Sequence, residues 1–520
     1  MGHPPRLTIT LQHAAVQRAV LTEARWWQRG VVYQVYPRSF QDANAHGVGD
    51  LRGIRQRLDH LEWLSVDAVW LSPIFRSPMA DFGYDVADYR DIDPLFGTLE
   101  DLDALLEDVH RRGMRLLLDF VPNHTSSQHP WFVDALASRS AEHRDWYIWR
   151  DPIAGEGTPQ PPNDWASAFG GPAWEWHEAT GQFYFHSFLK EQPDLDWTNP
   201  AVRAAMCDVL RFWFTRGVDG FRIDVVNLLA KDPEQMQPIV AKLRAVADEF
   251  TDRVLIGEAW VPPEQLVHYY GVDGEGLHLP FNFQLLELPW EASGLSAAIA
   301  HYERLLPAWG WPNWVLGNHD RVRIVSRVGV EQARIAAMLL LTLRGTPTVY
   351  YGDEIGMTEA SLPREAWRDP QGVRGGDTRD GCRTPMRWDA SPGGGFSAAE
   401  PWLPTAQPAR IDVASQVGDP DSMLSLYRAL LRLRRAERAL STGKWHDLGA
   451  AGTSLAYLRS DGERRFLVAL NLGGAASPLP AAARGLSGDV LISTLPTEGR
   501  FRLDAPRDLA ANEGLAVLLD

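Results

Sequence analysis

Hydrophobic positions along the chain follow two alternating spacings. Short runs rich in β-branched and aromatic residues read as strands: Val31–Tyr36, Asp67–Leu71, Met114–Phe120, Gly217–Asp224, Arg253–Glu258, Leu277–Phe281, Asn313–Leu316 and Thr348–Tyr350. Between them lie segments with apolar residues three and four apart, the period of a helix. These are Arg52–Leu64, Leu99–Arg111, Ala201–Arg216, Glu234–Phe250 and Glu331–Leu343. Apolar strands that alternate with helices predict a parallel sheet buried on both faces. About eight such units over roughly 400 residues favour an α/β fold of the (β/α)8 barrel type over an open doubly wound sheet.

Two regions break the rhythm. Residues 121–185 are rich in Pro, Gly, Trp and His and predict a subdomain inserted after strand 3. Residues 350–400 form a long Gly/Arg/Asp loop after the last strand. Loops that follow barrel strands build the active-site face, so both regions are expected to shape the substrate pocket. From about Ser441 the runs become short and alternating, separated by Gly, Pro and Asp, which predicts an antiparallel C-terminal domain. The expected organisation is a catalytic barrel from 1–120 and 186–440, with 1–25 as an N-terminal extension. Residues 121–185 make the inserted subdomain, and 441–520 a β-sandwich.

A net charge of −16 over 520 residues argues against nucleic acid and anionic membranes as partners. The two cysteines, Cys207 and Cys382, lie far apart and indicate no disulfide framework. Residues 1–29 hold no uninterrupted apolar run of signal-peptide character, and no segment has the roughly 18 apolar residues of a membrane helix. The expectation is a cytoplasmic enzyme, a monomer or small homo-oligomer. The 21 tryptophans suit core packing or, alternatively, stacking against sugar rings.

The segment Gly220-Phe221-Arg222-Ile223-Asp224 places an arginine and an aspartate two apart in a strand, on one face. A neighbouring guanidinium favours the ionised carboxylate that a nucleophile requires. Glu258 and Asp320 close two further strand-like runs. Glu258 has apolar sequence neighbours, a setting that raises a carboxyl pKa and suits a general acid. An ionised aspartate facing a protonated glutamate is the apparatus of a retaining glycosidase.

Together these segments resemble the α-amylase family of glycoside hydrolases (family 13), in its oligo-1,6-glucosidase and α-glucosidase branch. The matching stretches include Asp119–His124, Gln192–Trp197, Gly220–Asp224, Gly257-Glu258, Asn318–Asp320 and Gly345–Glu354. The resemblance implies Asp224 as nucleophile, Glu258 as acid/base and Asp320 as transition-state stabiliser, with Arg222 orienting the nucleophile. It also implies a subsite for one terminal glucose from Asp81, Tyr84, His124, His319 and Arg383. Phe169, Phe188 and Gln192 would form its wall. The expected substrate is a short oligosaccharide or disaccharide, and no cofactor is required. Val225 resembles branch members that favour α-1,6 bonds, although a valine there also simply suits a strand.

Asp42-Ala43-Asn44-Ala45-His46-Gly47-Val48-Gly49-Asp50 resembles a calcium loop of this branch, with His46 in place of an aspartate. Asp42, Asn44, the Val48 carbonyl and Asp50 would hold a structural Ca2+ or Mg2+, with His46 a poor ligand for a hard cation. The other reading is a glycine-rich turn closed by Asx hydrogen bonds. Two alternatives to the hydrolase stand beside it. One is a sucrose isomerase or transglucosylase of the same family, and the other is a non-catalytic amylase-like interaction protein.

Overall fold

The computed structural model describes residues 24–153, 157–231, 235–405, 408–496, 502–504 and 507–520. The expected N-terminal extension lies outside these residues except for its last two positions. Eight parallel strands close into a barrel, each paired with its sequence neighbours. They are β1 (Val32–Val35), β2 (Ala68–Leu71), β3 (Arg115–Phe120), β4 (Gly220–Ile223), β5 (Val254–Gly257), β6 (Leu279–Asn282), β7 (Asn313–Val315) and β8 (Thr346–Tyr350).

Strand alternation divides the apolar side chains into two layers. Val32, Ala68, Trp70, Leu117, Ile256 and Phe281 pack in the barrel interior. Tyr33, Val69, Leu71, Leu118, Phe221 and Leu255 pack outward in a second cluster, with leucines and valines of the surrounding helices. The helices include α1 (Leu99–Arg111), α2 (Pro200–Arg216), α3 (Met236–Asp248), α4 (Ala292–Leu305), α5 (Val330–Thr342) and α6 (Met423–Ala436). Their ends follow from sequence: Thr98 caps α1 with a reciprocal Asp101 contact, and Gly217 ends α2 in a left-handed conformation.

Between β3 and α2 the chain builds a small three-stranded antiparallel sheet of Trp149–Arg150, Gln182–Phe185 and Trp174–His177. Trp174, Phe183 and Phe185 form its apolar centre. Bridges His124↔Asp194 and Tyr147↔Leu195 tie it to the chain leading into α2.

The C-terminal strands are β9 (Lys444–Ala451), β10 (Ser454–Asp461), β11 (Arg464–Asn471), β12 (Gly488–Ser493), β13 (Arg502–Leu503) and β14 (Gly514–Leu519). They join in one antiparallel sheet, in the order β9-β10-β11-β14-β12-β13. The sequence suggested a sandwich, and the described residues place one sheet here. Alternation reports that a strand face is buried, but not whether a sheet or a helix covers it. Here α4 and α5 contact one face, and Leu479, Ala483 and Leu509 pack on the other. Arg459 of β10, fully buried, stitches the sheet to the barrel through the Thr342 carbonyl, and the equally buried Arg434 of α6 binds the Leu343 and Gly345 carbonyls beside it. Cys207 and Cys382 are buried and unpaired. Among the described residues no helix is long and apolar enough to cross a membrane.

Candidate active site

The β3/β4 register pairs Asp119 with Arg222, and the β4/β5 register pairs Arg222 with Ile256. Arg222 therefore points into the barrel mouth, one strand from Asp119 and two residues before Asp224. Its guanidinium donates to Asp119 Oδ1 (2.8 Å), Asp224 Oδ1 (2.7 Å) and Glu258 Oε2 (2.6 Å). The arginine side chain is 3% exposed. Glu258 also accepts from the Val225 N–H at 2.9 Å and from the Trp260 indole at 2.8 Å. A fork that grips three carboxylates fixes the two expected catalytic acids in one plane of reach.

The electrostatics differ from the sequence expectation. Burial pushes the Asp224 carboxyl well above the usual carboxylate range. Arg222 pulls it down, and the charges of Glu258 and Asp119 raise it further. Asp119 is raised to about 6, again chiefly by burial against the pull of Arg222. One guanidinium cannot neutralise three buried carboxylates, so the cluster retains a proton.

Asp320 behaves oppositely. Burial would raise it, but the charges of Arg379, Arg383 and Arg222 hold it far below its ordinary value. Arg379 and Arg383 each donate to Asp320 Oδ1 at 3.0 Å. His319 is lowered to about 3, first by burial, and is neutral near pH 7. Its ring stacks on Tyr84 at 5.5 Å and on Tyr36 at 5.7 Å, and Gln34 holds its Nδ1 at 2.8 Å.

These groups line a cavity of about 370 Å³. Asp81, Tyr84, His124, Phe169, Phe188, Gln192, Asp224, Val225, Glu258, His319 and Asp320 all reach its surface. Gln192 donates to Asp81 (3.3 Å) and lies 3.1 Å from His124 Nε2. Phe169 and Phe188 meet edge to face at 5.4 Å. Arg222 and Arg383, expected to bind substrate, stand behind the lining. Arg383 is fully buried and donates to the His319 carbonyl at 2.7 Å.

Arg379, four residues earlier, lines the cavity, as does Arg321, and neither was singled out from sequence. Arg379 bonds Asp81 (3.1 Å) as well as Asp320, with its guanidinium 5.1 Å from the centre of the Phe169 ring. Buried Asp369 grips it from behind at 2.9 and 2.7 Å. The only sequence signal was the shared segment Arg379–Pro385, whose turn (Asp380–Arg383) decides which arginine faces inward. Trp260, also missed, stacks on Phe283 at 3.9 Å beside Glu258.

Val225 lies outside β4, so it is not a strand residue. Its backbone is left-handed, with φ 36° and ψ 47°.

The suspected metal loop closes on itself. One potential ligand atom each from Asp42, His46 and Asp50 lies within 4.8 Å of the others. Asp42 accepts from the N–H groups of Asn44 and Gly47 and from the Ser397 hydroxyl. Asp50 accepts from the N–H groups of Ala43 and Gly53 and from the Asn44 amide. His46 Nδ1 accepts from the Val48 N–H. Two carboxylates already engaged and one imidazole are a poor match to a hard cation, and the Asx-turn reading fits these contacts.

Residues 34–443 match the α-amylase catalytic-domain family. A probable α-glucosidase of Rhizobium meliloti is 41% identical over 502 residues, covering 87% of this chain and 90% of that protein. The oligo-1,6-glucosidase of Parageobacillus thermoglucosidasius is 38% identical, covering 84% and 87%. Among solved structures, the isomaltulose synthase SmuA of Protaminobacter rubrum superposes with a TM-score of 0.90 at 33% identity. That comparison covers 96% of this chain and all of the other. With the barrel, the acid cluster and these relatives in agreement, the chain belongs to the α-amylase family and is a glycoside hydrolase.

Proposed function

We propose that the chain is a retaining, exo-acting α-glucosidase that removes the terminal α-glucosyl residue from disaccharides and short oligosaccharides. The observation that carries this reading is Arg222, which holds Asp224 and Glu258 on adjacent nitrogens of one guanidinium. Catalysis through a covalent intermediate needs its two carboxyls close together, about 5 Å apart, and a single fork that holds both keeps them close. That chemistry requires an ionised Asp224 as nucleophile and a carboxylic acid at Glu258 as proton donor when the substrate is bound. Asp224 attacks the anomeric carbon as Glu258 protonates the departing oxygen. Glu258 then takes a proton from water, which releases glucose from Asp224. Asp320, kept anionic by its arginines, stabilises the positive charge on the sugar ring.

A cavity of about 370 Å³ with Asp81, Tyr84 and Arg379 in its lining supports recognition of a single glucose. Val225 beside the leaving-group side supports α-1,6 bonds over α-1,4 bonds. A second reading, sucrose isomerisation or glucosyl transfer, draws support from the solved isomaltulose synthase and from a solved α-glucosyl transfer enzyme, XgtA, 36% identical with a TM-score of 0.86.

The test is hydrolysis of 4-nitrophenyl α-glucoside and isomaltose, with the first-formed anomer read by NMR. The expected product is α-glucose, and Asp224→Ala abolishes turnover. A β-glucose product or an active Asp224→Ala variant overturns the reading. Sucrose converted to a second disaccharide, rather than hydrolysed, favours the isomerase.

A further inference from the structure

Gln34 is the one amide in the apolar and aromatic run Val31-Val32-Tyr33-Gln34-Val35-Tyr36 that builds β1. Its register partners are Trp70 on β2 and Tyr350 on β8. Alternation turns it into the barrel with Val32, while Tyr33 between them faces out. Gln34 is fully buried, a costly place for an amide unless its hydrogen bonds are used. Its nitrogen lies 2.8 Å from His319 Nδ1 and 3.2 Å from Ser72 Oγ, so each of its two N–H groups has an acceptor. The amide oxygen has no partner among the described residues. Gln34 therefore serves this site as a donor.

The far edge of the imidazole decides which nitrogen carries the proton. His319 Nε2 lies 2.6 Å from the Tyr84 hydroxyl and 3.2 Å from Asp320 Oδ2, with the Tyr84 and His319 rings parallel to within 6°. Tyr84 donates its single hydroxyl proton to Asp119 Oδ2 at 3.3 Å, so its oxygen accepts from His319. Asp320, held as a carboxylate by its arginines, also only accepts. Nε2 therefore holds the proton, and in the neutral ring Nδ1 is left as an acceptor that needs a donor. The Gln34 amide supplies it.

We infer that Gln34 is a positioning residue that fixes His319 as the Nε2–H tautomer, so that a donor faces the cavity between Tyr84 and Asp320. Ionised Asp81 and Asp320 can only accept from a sugar hydroxyl, and an imidazole N–H beside them complements that pair. In the opposite tautomer both edges of the ring would be mismatched. Nδ1–H would meet the Gln34 N–H, and the Nε2 lone pair would meet the Asp320 carboxylate. The kinetic consequence rests on the glucosidase reading above, whereas the tautomer does not.

The experiment reads the tautomer by long-range proton–nitrogen NMR of histidine-labelled protein, with the His319 signals assigned by their loss in His319→Asn. The wild type is expected to show Nε2 protonated and Nδ1 as a hydrogen-bonded acceptor. Gln34→Glu keeps the length, turns the donor into an acceptor, and is expected to place a proton on Nδ1. Gln34→Met removes the donor without adding charge, and is expected to move Nδ1 to the signal of an unbonded acceptor. On 4-nitrophenyl α-glucoside, kcat/KM is expected to fall by about ten-fold or more in Gln34→Glu and about three-fold or more in Gln34→Met. A wild-type His319 protonated on Nδ1 alone overturns the inference, and that measurement needs no variant to fold. Unchanged His319 signals in both variants also overturn it, even where activity and melting temperature fall, because they leave Gln34 a packing role only. An enzyme inactive on every α-glucoside overturns the glucosidase reading, while the NMR signals still decide the role of Gln34.

Discussion

Val225 donates its backbone N–H to Glu258 Oε2 at 2.9 Å from a left-handed conformation. For a β-branched residue that conformation costs about 1–3 kcal/mol and persists only where surrounding contacts enforce it. Here the enforcing contacts are the two acids: Asp224 is fixed by Arg222, and Glu258 takes up the next residue's N–H. The strained turn aims the Val225 side chain at the cavity.

That placement predicts specificity. Wild-type enzyme is expected to show higher kcat/KM on isomaltose than on maltose, and Val225→Thr to narrow the gap by about 3–10-fold. Threonine keeps the shape and adds a hydroxyl, so the fold is unaffected. Parallel kinetics on the two disaccharides check this. A maltose-preferring wild type defeats it.

Arg222 predicts a stability effect separate from catalysis. Arg222→Ala strands Asp119, Asp224 and Glu258 without their shared cation. Breaking a buried ion pair on one side costs about 3–5 kcal/mol. Urea unfolding is expected to show that loss, together with a fall in kcat of at least about 100-fold from misplaced acids. Arg222→Lys keeps the charge without the fork. It is expected to recover stability better than activity.

The barrel was legible because buried parallel strands are apolar end to end, and all eight lie where such runs occur; the fourth begins three residues late, at Gly220, the sixth two late, at Leu279, and the eighth two early, at Thr346. The acids were legible because each closes such a run. The Asp119 role was not, since it depends on the register that sets β3 beside β4. The choice between Arg379 and Arg383 was equally hidden, because a four-residue turn, not composition, determines which one faces the cavity. The proton balance also escaped the sequence. An adjacent arginine argues for an ionised Asp224, and only the three-carboxylate geometry shows that burial outweighs it.

Asp369 predicts a binding effect at a distance. Its carboxylate has no exposed surface and grips Arg379, whose other side meets Asp81 and Asp320. Asp369→Asn is expected to raise KM by about ten-fold through loss of one charged contact, with a smaller change in kcat. A fall in melting temperature with KM unchanged would reduce Asp369 to a structural role.

The loop Asp42–Asp50 predicts indifference to metal. Its carboxylates are already satisfied by N–H groups and by Ser397. A cation bound only by the folded state raises stability by mass action. Added calcium or EDTA is therefore expected to shift the melting temperature by less than about 1 °C. A larger rise with calcium would restore the loop as a cation site.

Two buried groups outside the active site predict how stability depends on pH, with opposite signs. Asp353 is raised to about 7, first by burial and then by Glu354, against the pull of Arg323. Its folded form binds a proton that the unfolded chain has released above about pH 4, so its contribution is complete below that pH and is lost as pH rises through 7. His129, buried at the head of the helix Pro130–Ala137, is lowered to about 3 by burial and then by the His143 charge. Its contribution is complete above its unfolded value of about 6.5 and is lost as pH falls toward 3. Each shift spans about 3 units, an upper bound of roughly 4 kcal/mol. Asp353→Asn is therefore expected to flatten the decline in stability between about pH 4 and 7. His129→Asn, which keeps a helix-capping side chain, is expected to flatten the decline between pH 6 and 4. Urea midpoints measured across that range separate the two limbs, and a variant that flattens the opposite limb contradicts the assignment.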